Sequence, residues 1–409
     1  MTYKTNKTYI KIIKNGGITS PCGFLANGIH CGIKHDGKKD LCLIFSETAA
    51  TAAGVFTKNK VKAAPVTISR EQLKNNRISA IVINSGNANA CTGKKGLDDA
   101  WQMVNITAGV LEIESKEVLV ASTGRIGAGL PIEKIKHGII ELKDKLSKSG
   151  GHNSALAIMT TDLYPKEIAL EFVIDKKRVR LGGMCKGAGM IHPDMATMLC
   201  FLTCDINIEK KLLQHILEEA VNDSFNLITV DGDRSTNDTV VITANGMAGN
   251  RNIKEGSSDY NIFKNAVSFV CRFLAKEIVK NGEGATKLIN IKVNGAKSEN
   301  EAKKAAFAIA NSSLVKTSIF GEDPNWGRIM SAVGSSGINV TEEKIDIFYG
   351  KNKITANGQG IEKAYSLVKK YLSNREIELT INLKQGKAHV SVLTCDLTPE
   401  YVKINAEKS

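Results

Sequence analysis

Aromatic residues are scarce in this chain, and no apolar stretch is long enough to cross a membrane. Phe, Trp and Tyr make up 5% of the 409 residues, and the net charge of +13 comes mostly from lysines scattered along the sequence. Nucleic-acid-binding surfaces combine clustered Lys and Arg with aromatic side chains, so this pattern indicates a solvated basic surface and no nucleic-acid partner. The lack of an apolar segment of about 20 residues predicts no membrane association.

The sequence also lacks paired cysteines and clustered histidines. None of its nine cysteines belongs to a CxxC pair, and its seven histidines are dispersed. Cysteine in apolar runs behaves as a small hydrophobic residue, so we expect a reducing compartment, no disulfide framework and no metal site. The N-terminal residues contain no apolar segment typical of a secretory signal, which predicts a cytoplasmic protein.

Short apolar runs alternate with amphipathic segments through most of the chain. This alternation predicts an α/β fold, and the length predicts two or three domains. No linker, repeat or low-complexity segment separates them. Predicted strands include residues 40–45, 52–56, 78–84, 118–121, 155–159, 167–174, 178–181 and 225–230, and predicted helices include residues 96–113, 209–222 and 258–279.

A glycine-rich segment with a single lysine, Lys186, precedes a short, unalternating apolar run at residues 198–202. Such a run is typical of a strand buried on both faces. Thr197 therefore lies at the entry of a core strand, and a rigid strand is a good mount for a reacting group. The plainer interpretation is an ordinary glycine loop followed by a strand threonine, with Lys186 exposed to solvent.

Three other segments place polar or small residues where a strand or helix ends. Residues 122–127 follow a predicted strand, so their backbone N–H groups could point outward, although a plain turn has the same composition. Glu283 lies between two glycines and is suited to an ammonium group, or is simply a solvated charge. The acidic loop 231–238 lacks the glycine and the final acid of an EF-hand, which excludes that calcium site.

A series of segments, in this order, resembles the ornithine acetyltransferase family, the bifunctional glutamate N-acetyltransferases of arginine biosynthesis. The resemblance covers roughly residues 17–405. The matching segments are residues 56–66, 84–93, 122–124, 159–162, 186–190, 195–199, 282–287 and 323–328.

The resemblance implies a self-cleaving precursor with mixed sheets in an αββα four-layer sandwich of the N-terminal-nucleophile-like type. Cleavage between Ala196 and Thr197 would give an α chain of residues 1–196 and a β chain of residues 197–409. The nucleophile strand 197–205 would pack with the α chain, and residues from about 280 to 409 would form a C-terminal α/β region. The family assembles as α2β2 or larger.

The resemblance also implies roles for individual residues. Thr197 would be the nucleophile, and the Thr123 hydroxyl with the Gly124 backbone N–H would form the oxyanion hole. The chain ends one residue short of the family pattern and lacks its final tyrosine, so the register of Ser409 is offset. The implied substrate contacts are Thr160, Lys186, Thr197, Glu283, Asn405 and Ser409.

The implied chemistry is ping-pong transfer of an acetyl group from N-acetylornithine to glutamate through acetyl-Thr197. Cleavage would create an α-amine with a pKa of about 7.7–8.0, suited to act as the base for the hydroxyl of the same residue. No cofactor is required. The sequence leaves open whether acetyl-CoA is also a co-substrate. An N-terminal-nucleophile amidohydrolase or aminopeptidase and a non-catalytic protein are the alternatives.

Overall fold

The computed structural model of the chain describes residues 2–5, 8–192 and 198–407. The chain divides into two compact units. The first unit comprises Met1–Gly187, Asp194–Asn226 and Arg234–Ile278, and the second comprises Ala188–Pro193, Leu227–Asp233 and Val279–Ser409.

The first unit contains ten described strands and most of the length of six helices. Its strands are β1 (Thr2–Thr5), β2 (Thr8–Ile12), β3 (Phe24–Ile29), β4 (Leu41–Phe56), β5 (Ile78–Asn87), β6 (Val118–Arg125), β7 (Lys166–Ile174), β8 (Lys177–Lys186), β9 (Leu199–Cys204) and β10 (Thr239–Ala244). Its helices are α1 (Ala64–Gln72), α2 (Gly93–Leu111), α3 (Ile132–Lys145), α4 (Gly151–Ile158), α5 (Lys210–Asn222) and α6 (Ser258–Lys280).

The long strand β4 connects two halves of one mixed sheet. The hydrogen-bonded order is β1-β2-β7-β8-β9-β10-β4-β5-β6, and β3 pairs with β4 beside this path. The first part of β4 pairs with β3 and β5, whereas residues 51–56 pair with β10. A register shift between Phe45 and Ala50 separates the two parts. Such irregularities bend a strand, so β4 belongs to both halves.

Alternating side chains bury both faces of the β3–β6 half. Cys42 and Ile44 belong to a core that also contains Leu199 and Phe201 of the other half. Leu41 and Leu43 belong to a second core formed with helices α1, α2 and α3. The outer face of β8 and β9 meets α6, whose Val270 lies close to Gly183. Successive strand residues point to opposite faces, so one face of each half meets the shared core and the other face meets helices. Helices therefore cover both outer faces, which confirms the predicted αββα layers.

Two of the predicted strands are wrong. Residues 155–159 lie mostly in helix α4, and Phe225–Leu227 forms a turn of 3-10 helix. A short apolar run does not distinguish a buried strand from a buried helix. Helix α4 packs closely against β3, because a Cβ at Gly28 would stand 2.3 Å from the Asn153 carbonyl oxygen. The tertiary packing of small residues decides the helical form here.

The second unit is built on a separate mixed sheet of six described strands in the order β14-β13-β12-β15-β11-β16. Its core is formed by aliphatic side chains of the sheet and of the helices that follow it, including Ile291, Ile309 and Leu379. The strands are β11 (Leu288–Ala296), β12 (Asp346–Tyr349), β13 (Asn352–Ala356), β14 (Gln359–Gly360), β15 (Glu376–Asn382) and β16 (Ala388–Cys395). The helices are α7 (Glu299–Ala310), α8 (Ser313–Phe320), α9 (Trp326–Gly334), α10 (Tyr365–Leu372) and α11 (Pro399–Glu407).

Within residues 2–5, 8–192 and 198–407, no helix is both long and apolar enough to span a membrane.

Candidate functional site

The predicted site residues fall into three groups. Thr123, Gly124, Thr160 and Lys186 belong to the first unit, and Glu283 and Asn405 belong to the second. Ala196, Thr197 and Ser409, which carry the predicted cleavage, nucleophile and C-terminal contact, lie outside the described residues.

The structure brings Thr123 and Lys186 together at the ends of two strands. Thr123 lies near the end of β6, Lys186 is the last residue of β8, and both are 3% exposed. The Lys186 ammonium Nζ donates a hydrogen bond of 3.3 Å to the Thr123 hydroxyl. These residues are 63 positions apart in the sequence. A buried hydroxyl held by a cation is well placed to stabilise a developing negative charge.

Gly124 adopts a backbone conformation that other residues rarely take. Its φ angle is +134°, in register with Gly86 of β5. A Cβ added here would lie 2.3 Å from the Gly86 carbonyl carbon and 2.4 Å from the Asn87 nitrogen. Only glycine fits both requirements. The turn beside Thr123 is therefore tightly specified, which is what a preorganised backbone donor requires.

Asp162, a buried aspartate within the matching segment 159–162, supports the other two predicted contacts. Asp162 Oδ2 accepts a 3.0 Å hydrogen bond from the Thr160 backbone N–H. Its Oδ1 accepts bonds from the Gly187 backbone N–H at 2.8 Å and from the Lys166 ammonium at 2.5 Å. One carboxylate thus ties the Thr160 peptide to the peptide that follows Lys186.

Positive charge surrounds this carboxylate. Burial by itself raises the pKa of Asp162, but Lys166, Lys186 and the Gly187 N–H lower it more strongly, so the net pKa lies well below its usual range. The pKa of Lys34 is lowered to about 8, mainly by burial and also by repulsion from Lys186. The carboxylates of Asp40 and Asp36 raise this pKa but do not compensate. This basic, partly dehydrated environment suits an anionic group of a small molecule.

Strand β9 lies in the centre of the first sheet and begins two residues after the predicted nucleophile, Thr197. It runs antiparallel to β8 and parallel to β10, and its six residues are all buried. Met198, which precedes it, donates its N–H to Asp238 Oδ1 at 3.1 Å and accepts a bond from the Thr239 N–H. The strand predicted from residues 198–202 is confirmed, and both the N–H and the carbonyl of Met198, just before it, are hydrogen-bonded.

The second unit brings Glu283 and Asn405 together. The Asn405 side-chain amide donates to Glu283 Oε2 at 2.9 Å, and the Glu283 N–H donates to the Ala188 carbonyl at 2.8 Å. A Cβ at Gly189 would lie 2.4 Å from Glu283 Oε2, so glycine permits this close approach. Asp231 accepts the N–H groups of the next two residues, 190 and 191, which holds the end of the glycine-rich segment.

Sequence reasoning missed both supporting carboxylates. Asp162 lies within the matching segment 159–162 and Asp238 ends the acidic loop 231–238, but the backbone groups of Gly187 and Met198 that they bind are 25 and 40 positions away, respectively. The available local signal was Lys166, an oppositely charged residue four positions after Asp162. Among the residues that the structure describes, no His, Cys, Asp and Glu side chains form a cluster able to hold a metal ion.

Comparison with known proteins agrees with this arrangement of motifs. The ArgJ family profile matches residues 25–409. The chain is 49% identical over 397 residues to the arginine biosynthesis bifunctional protein ArgJ of Caldanaerobacter subterraneus, covering 96% of this chain and 98% of the relative. It is 45% identical to the protein of the same name from Bacillus subtilis, covering 97% of each chain.

Two solved structures are also similar over part of the chain. The arginine biosynthesis bifunctional protein argJ of Bacillus halodurans is 40% identical with a TM-score of 0.44, covering 47% of this chain and 100% of that one. Ornithine acetyltransferase of Mycobacterium tuberculosis, solved with ornithine, is 40% identical with a TM-score of 0.42, covering 45% and 98%. On the match of the family profile and the near-complete coverage of its relatives, the chain belongs to the ArgJ family.

Proposed function

We propose that this chain cleaves itself between Ala196 and Thr197 and then transfers an acetyl group from N-acetylornithine to glutamate through an acetyl-Thr197 ester. As a member of the ArgJ family, the chain is an acetyltransferase of arginine biosynthesis. The observation that carries the mechanism is the buried contact between Lys186 and the Thr123 hydroxyl beside Gly124. It supplies the kind of positive, preorganised site that acyl transfer requires.

The first half of the reaction forms the ester. The α-amine of Thr197 takes the proton of its own hydroxyl, whose oxygen attacks the acetyl carbonyl of N-acetylornithine. The Thr123 hydroxyl and the Gly124 N–H are the proposed donors to the oxyanion. Collapse of the tetrahedral intermediate breaks the amide bond, and the protonated amine leaves as ornithine.

The second half returns the enzyme to its starting state. The glutamate amine attacks the ester carbonyl and gives up a proton, the ester bond breaks, and the Thr197 hydroxyl is restored as N-acetylglutamate leaves. Both halves use the same nucleophile and the same oxyanion donors. Removing one such donor costs about 10²–10³ in rate.

The substrate contacts follow from charge. Lys186 is suited to a substrate carboxylate, since it is buried among groups that favour anions. Glu283, held by the Asn405 amide, is suited to the side-chain ammonium of ornithine. Thr160 contributes through a peptide fixed by Asp162. Ser409 remains the proposed residue near the C-terminus that contacts the substrate through its hydroxyl.

The further properties of the proposal are a reaction without a cofactor, an α2β2 or larger assembly and a cytoplasmic location. The proposal also includes acetyl-CoA as a second acetyl donor for a chain whose relatives are named bifunctional proteins. Comparing N-acetylglutamate formation from acetyl-CoA with that from N-acetylornithine tests the second activity directly.

Self-cleavage and transfer are tested with Thr197→Ala and the exposed control Thr48→Ala. We expect the wild-type chain and the control to give two fragments by intact mass, and Thr197→Ala to stay whole and inactive. A wild-type chain that remains intact yet transfers acetyl refutes the mechanism. Omitting glutamate separates transfer from hydrolysis, because an amidohydrolase releases ornithine at the same rate without it.

A further inference from the structure

Lys34 is a partly buried lysine to which the proposed mechanism gives no role. It lies in the loop between β3 and β4, and its ammonium Nζ donates hydrogen bonds to two backbone carbonyls. One carbonyl belongs to Lys39 of the same loop, at 2.8 Å, and the other to Met159, 125 positions away, at 2.7 Å. The second bond therefore connects this loop to the residue that directly precedes the predicted substrate contact Thr160.

The loop that carries Lys34 is held by a buried carboxylate. Asp40 is 0% exposed and accepts the backbone N–H groups of Cys31, Ile33 and Lys34 at 2.6, 2.8 and 2.9 Å. The backbone carbonyl of Asp40 also accepts the N–H of Ser85 in β5. Hydrogen bonds to a carboxylate are stronger than those between neutral groups. The Lys34 side chain therefore extends from a backbone that is fixed relative to β5.

The aliphatic part of Lys34 lies against the turn that contains the proposed oxyanion donor. A Cβ added at Gly86 would stand 3.1 Å from Lys34 Cγ, and a Cβ added at Gly124 would stand 2.3 Å from the Gly86 carbonyl carbon. Burial, and in smaller part repulsion from Lys186, lowers the pKa of Lys34 to about 8, so its ammonium is protonated at neutral pH. Lys34 is thus a cation close to several of the predicted site residues.

Charged side chains hold both ends of one peptide group beside Lys34. The carbonyl of the Met159–Thr160 peptide accepts the Lys34 ammonium at 2.7 Å, and the N–H of the same peptide donates to Asp162 Oδ2 at 3.0 Å. Met159 directly follows helix α4, and its ψ angle of 153° is extended. The last carbonyls of a helix have no partner within the helix, so the group that binds them determines their position. Here that group is the Lys34 ammonium.

We propose that Lys34 is a positioning residue for the substrate contact at Thr160, and that its ammonium and the Asp162 carboxylate orient the Met159–Thr160 peptide from its two ends. This inference rests on the proposed function. Lys34 acts through the Met159 carbonyl and contacts neither the substrate nor the reacting atoms. Its loss should therefore weaken the binding of N-acetylornithine more than it slows the bound complex.

The experiment compares Lys34→Met with Lys39→Met. Methionine keeps most of the aliphatic stem that lies against Gly86 but removes the ammonium. Lys39 is a matched control because it lies in the same loop and also donates to a backbone carbonyl, that of Gly28 in β3, at 3.0 Å. Lys34→Arg is the conservative variant, since it keeps a permanent cation. KM and kcat for N-acetylornithine are measured for wild type and the three variants at one fixed glutamate concentration.

We expect Lys34→Met to raise the KM for N-acetylornithine about tenfold and to keep kcat within about twofold of wild type, because a charge-assisted hydrogen bond that orients the binding site is lost. Lys34→Arg should recover most of this loss, and Lys39→Met should keep the wild-type kinetics. The inference is overturned by an unchanged KM in Lys34→Met, an equal rise in Lys39→Met, a loss confined to kcat, or an arginine variant no better than the methionine variant. Lys34→Gln supplies a second uncharged variant if Lys34→Met does not fold.

A second measurement separates positioning from a direct contact between Lys34 and the substrate. Hydrogen exchange of the substrate-free protein, followed by mass spectrometry, reports the protection of the Thr160 N–H that Asp162 accepts. Peptides containing residues 159–162 should exchange faster in Lys34→Met than in wild type or Lys39→Met, because the carbonyl end of the peptide is released. A raised KM with unchanged exchange overturns the positioning role.

Failure of the inference differs from failure of the proposed function. If wild type forms no N-acetylglutamate from N-acetylornithine and glutamate, the proposed function fails before any variant is compared. If wild type transfers acetyl normally and Lys34→Met keeps the wild-type KM, the role of Lys34 alone is refuted.

Discussion

Replacing Asp162 by Asn tests whether one buried carboxylate organises the basic side of the site. The Asp162 and Lys166 side chains are both 0% exposed and 2.5 Å apart. Removing one charge of a buried pair costs about 3–5 kcal/mol, because the other charge stays dehydrated. That is a large part of the roughly 5–15 kcal/mol by which proteins are stable.

The geometry adds a second cost to this substitution. Both oxygens of Asp162 face donors, namely the Thr160 N–H on one side and the Gly187 N–H with the Lys166 ammonium on the other. An asparagine must turn its NH₂ group toward one of these donors, which leaves hydrogens facing each other. We therefore expect displacement of the Thr160 peptide and about a tenfold loss of kcat/KM for N-acetylornithine.

The assay is urea unfolding with Glu71→Gln as the control. Glu71 and Lys74 form an exposed ion pair on the surface, with side chains 64% and 73% exposed, so the same chemical change there should cost less than about 1 kcal/mol. Unfolding followed by circular dichroism gives both free energies. If Asp162→Asn loses no more stability than Glu71→Gln, the organising role of the carboxylate is refuted.

The same residue predicts how the difference depends on pH. Because the folded-state pKa of Asp162 is lowered, its stabilisation is complete above the unfolded-state value of about 4 and is lost as the pH falls below it. The stability gap between wild type and Asp162→Asn should therefore narrow below about pH 4. A gap that stays constant from pH 7 to pH 3 contradicts this reasoning.

Two further predictions concern a backbone position and the thiols. Gly124→Ala should abolish acetyl transfer and lower the melting temperature, because its Cβ would stand 2.3 Å from the Gly86 carbonyl carbon. The control Gly129→Ala should change neither, because Gly129 has open space around it and no positive φ. Equal activity of the two variants argues against the proposed oxyanion turn. In native protein the exposed Cys22 and Cys91 should react rapidly with a thiol reagent, as counted by mass. Rapid labelling of any of the six buried thiols contradicts the buried core.

Local patterns in the sequence were sufficient for much of the fold. The strands predicted at residues 167–174 and 178–181 are present as the antiparallel pair β7 and β8, and the helix expected over residues 258–279 is α6. These segments have strong periodicity or clear turn residues, which act over a few positions. Residues 155–159 have neither, and only packing against β3 made them part of a helix.

The two apolar runs around residues 40–45 and 52–56 illustrate a different limit. Each was recognised as a strand, but they form one strand, β4, whose parts pair with different partners. Hydrophobic alternation predicts which face of a strand is buried but does not specify its neighbours. Sheet order follows from how the layers close over a common core.

The sequence by itself determined the ArgJ family, the alternation of helices and strands, and the glycine at 124 that the proposed oxyanion turn requires. Only the tertiary structure decided that Lys186 reaches Thr123, that Asp162 ties Thr160 to Gly187, and that Asp238 holds Met198. The physical reason is distance along the chain. Local propensities act over a few residues, whereas these partners meet only when segments distant in the sequence pair and pack. Met198 reaches Asp238, for example, because β9 pairs with β10. Polar groups buried in this way must then find hydrogen-bond partners.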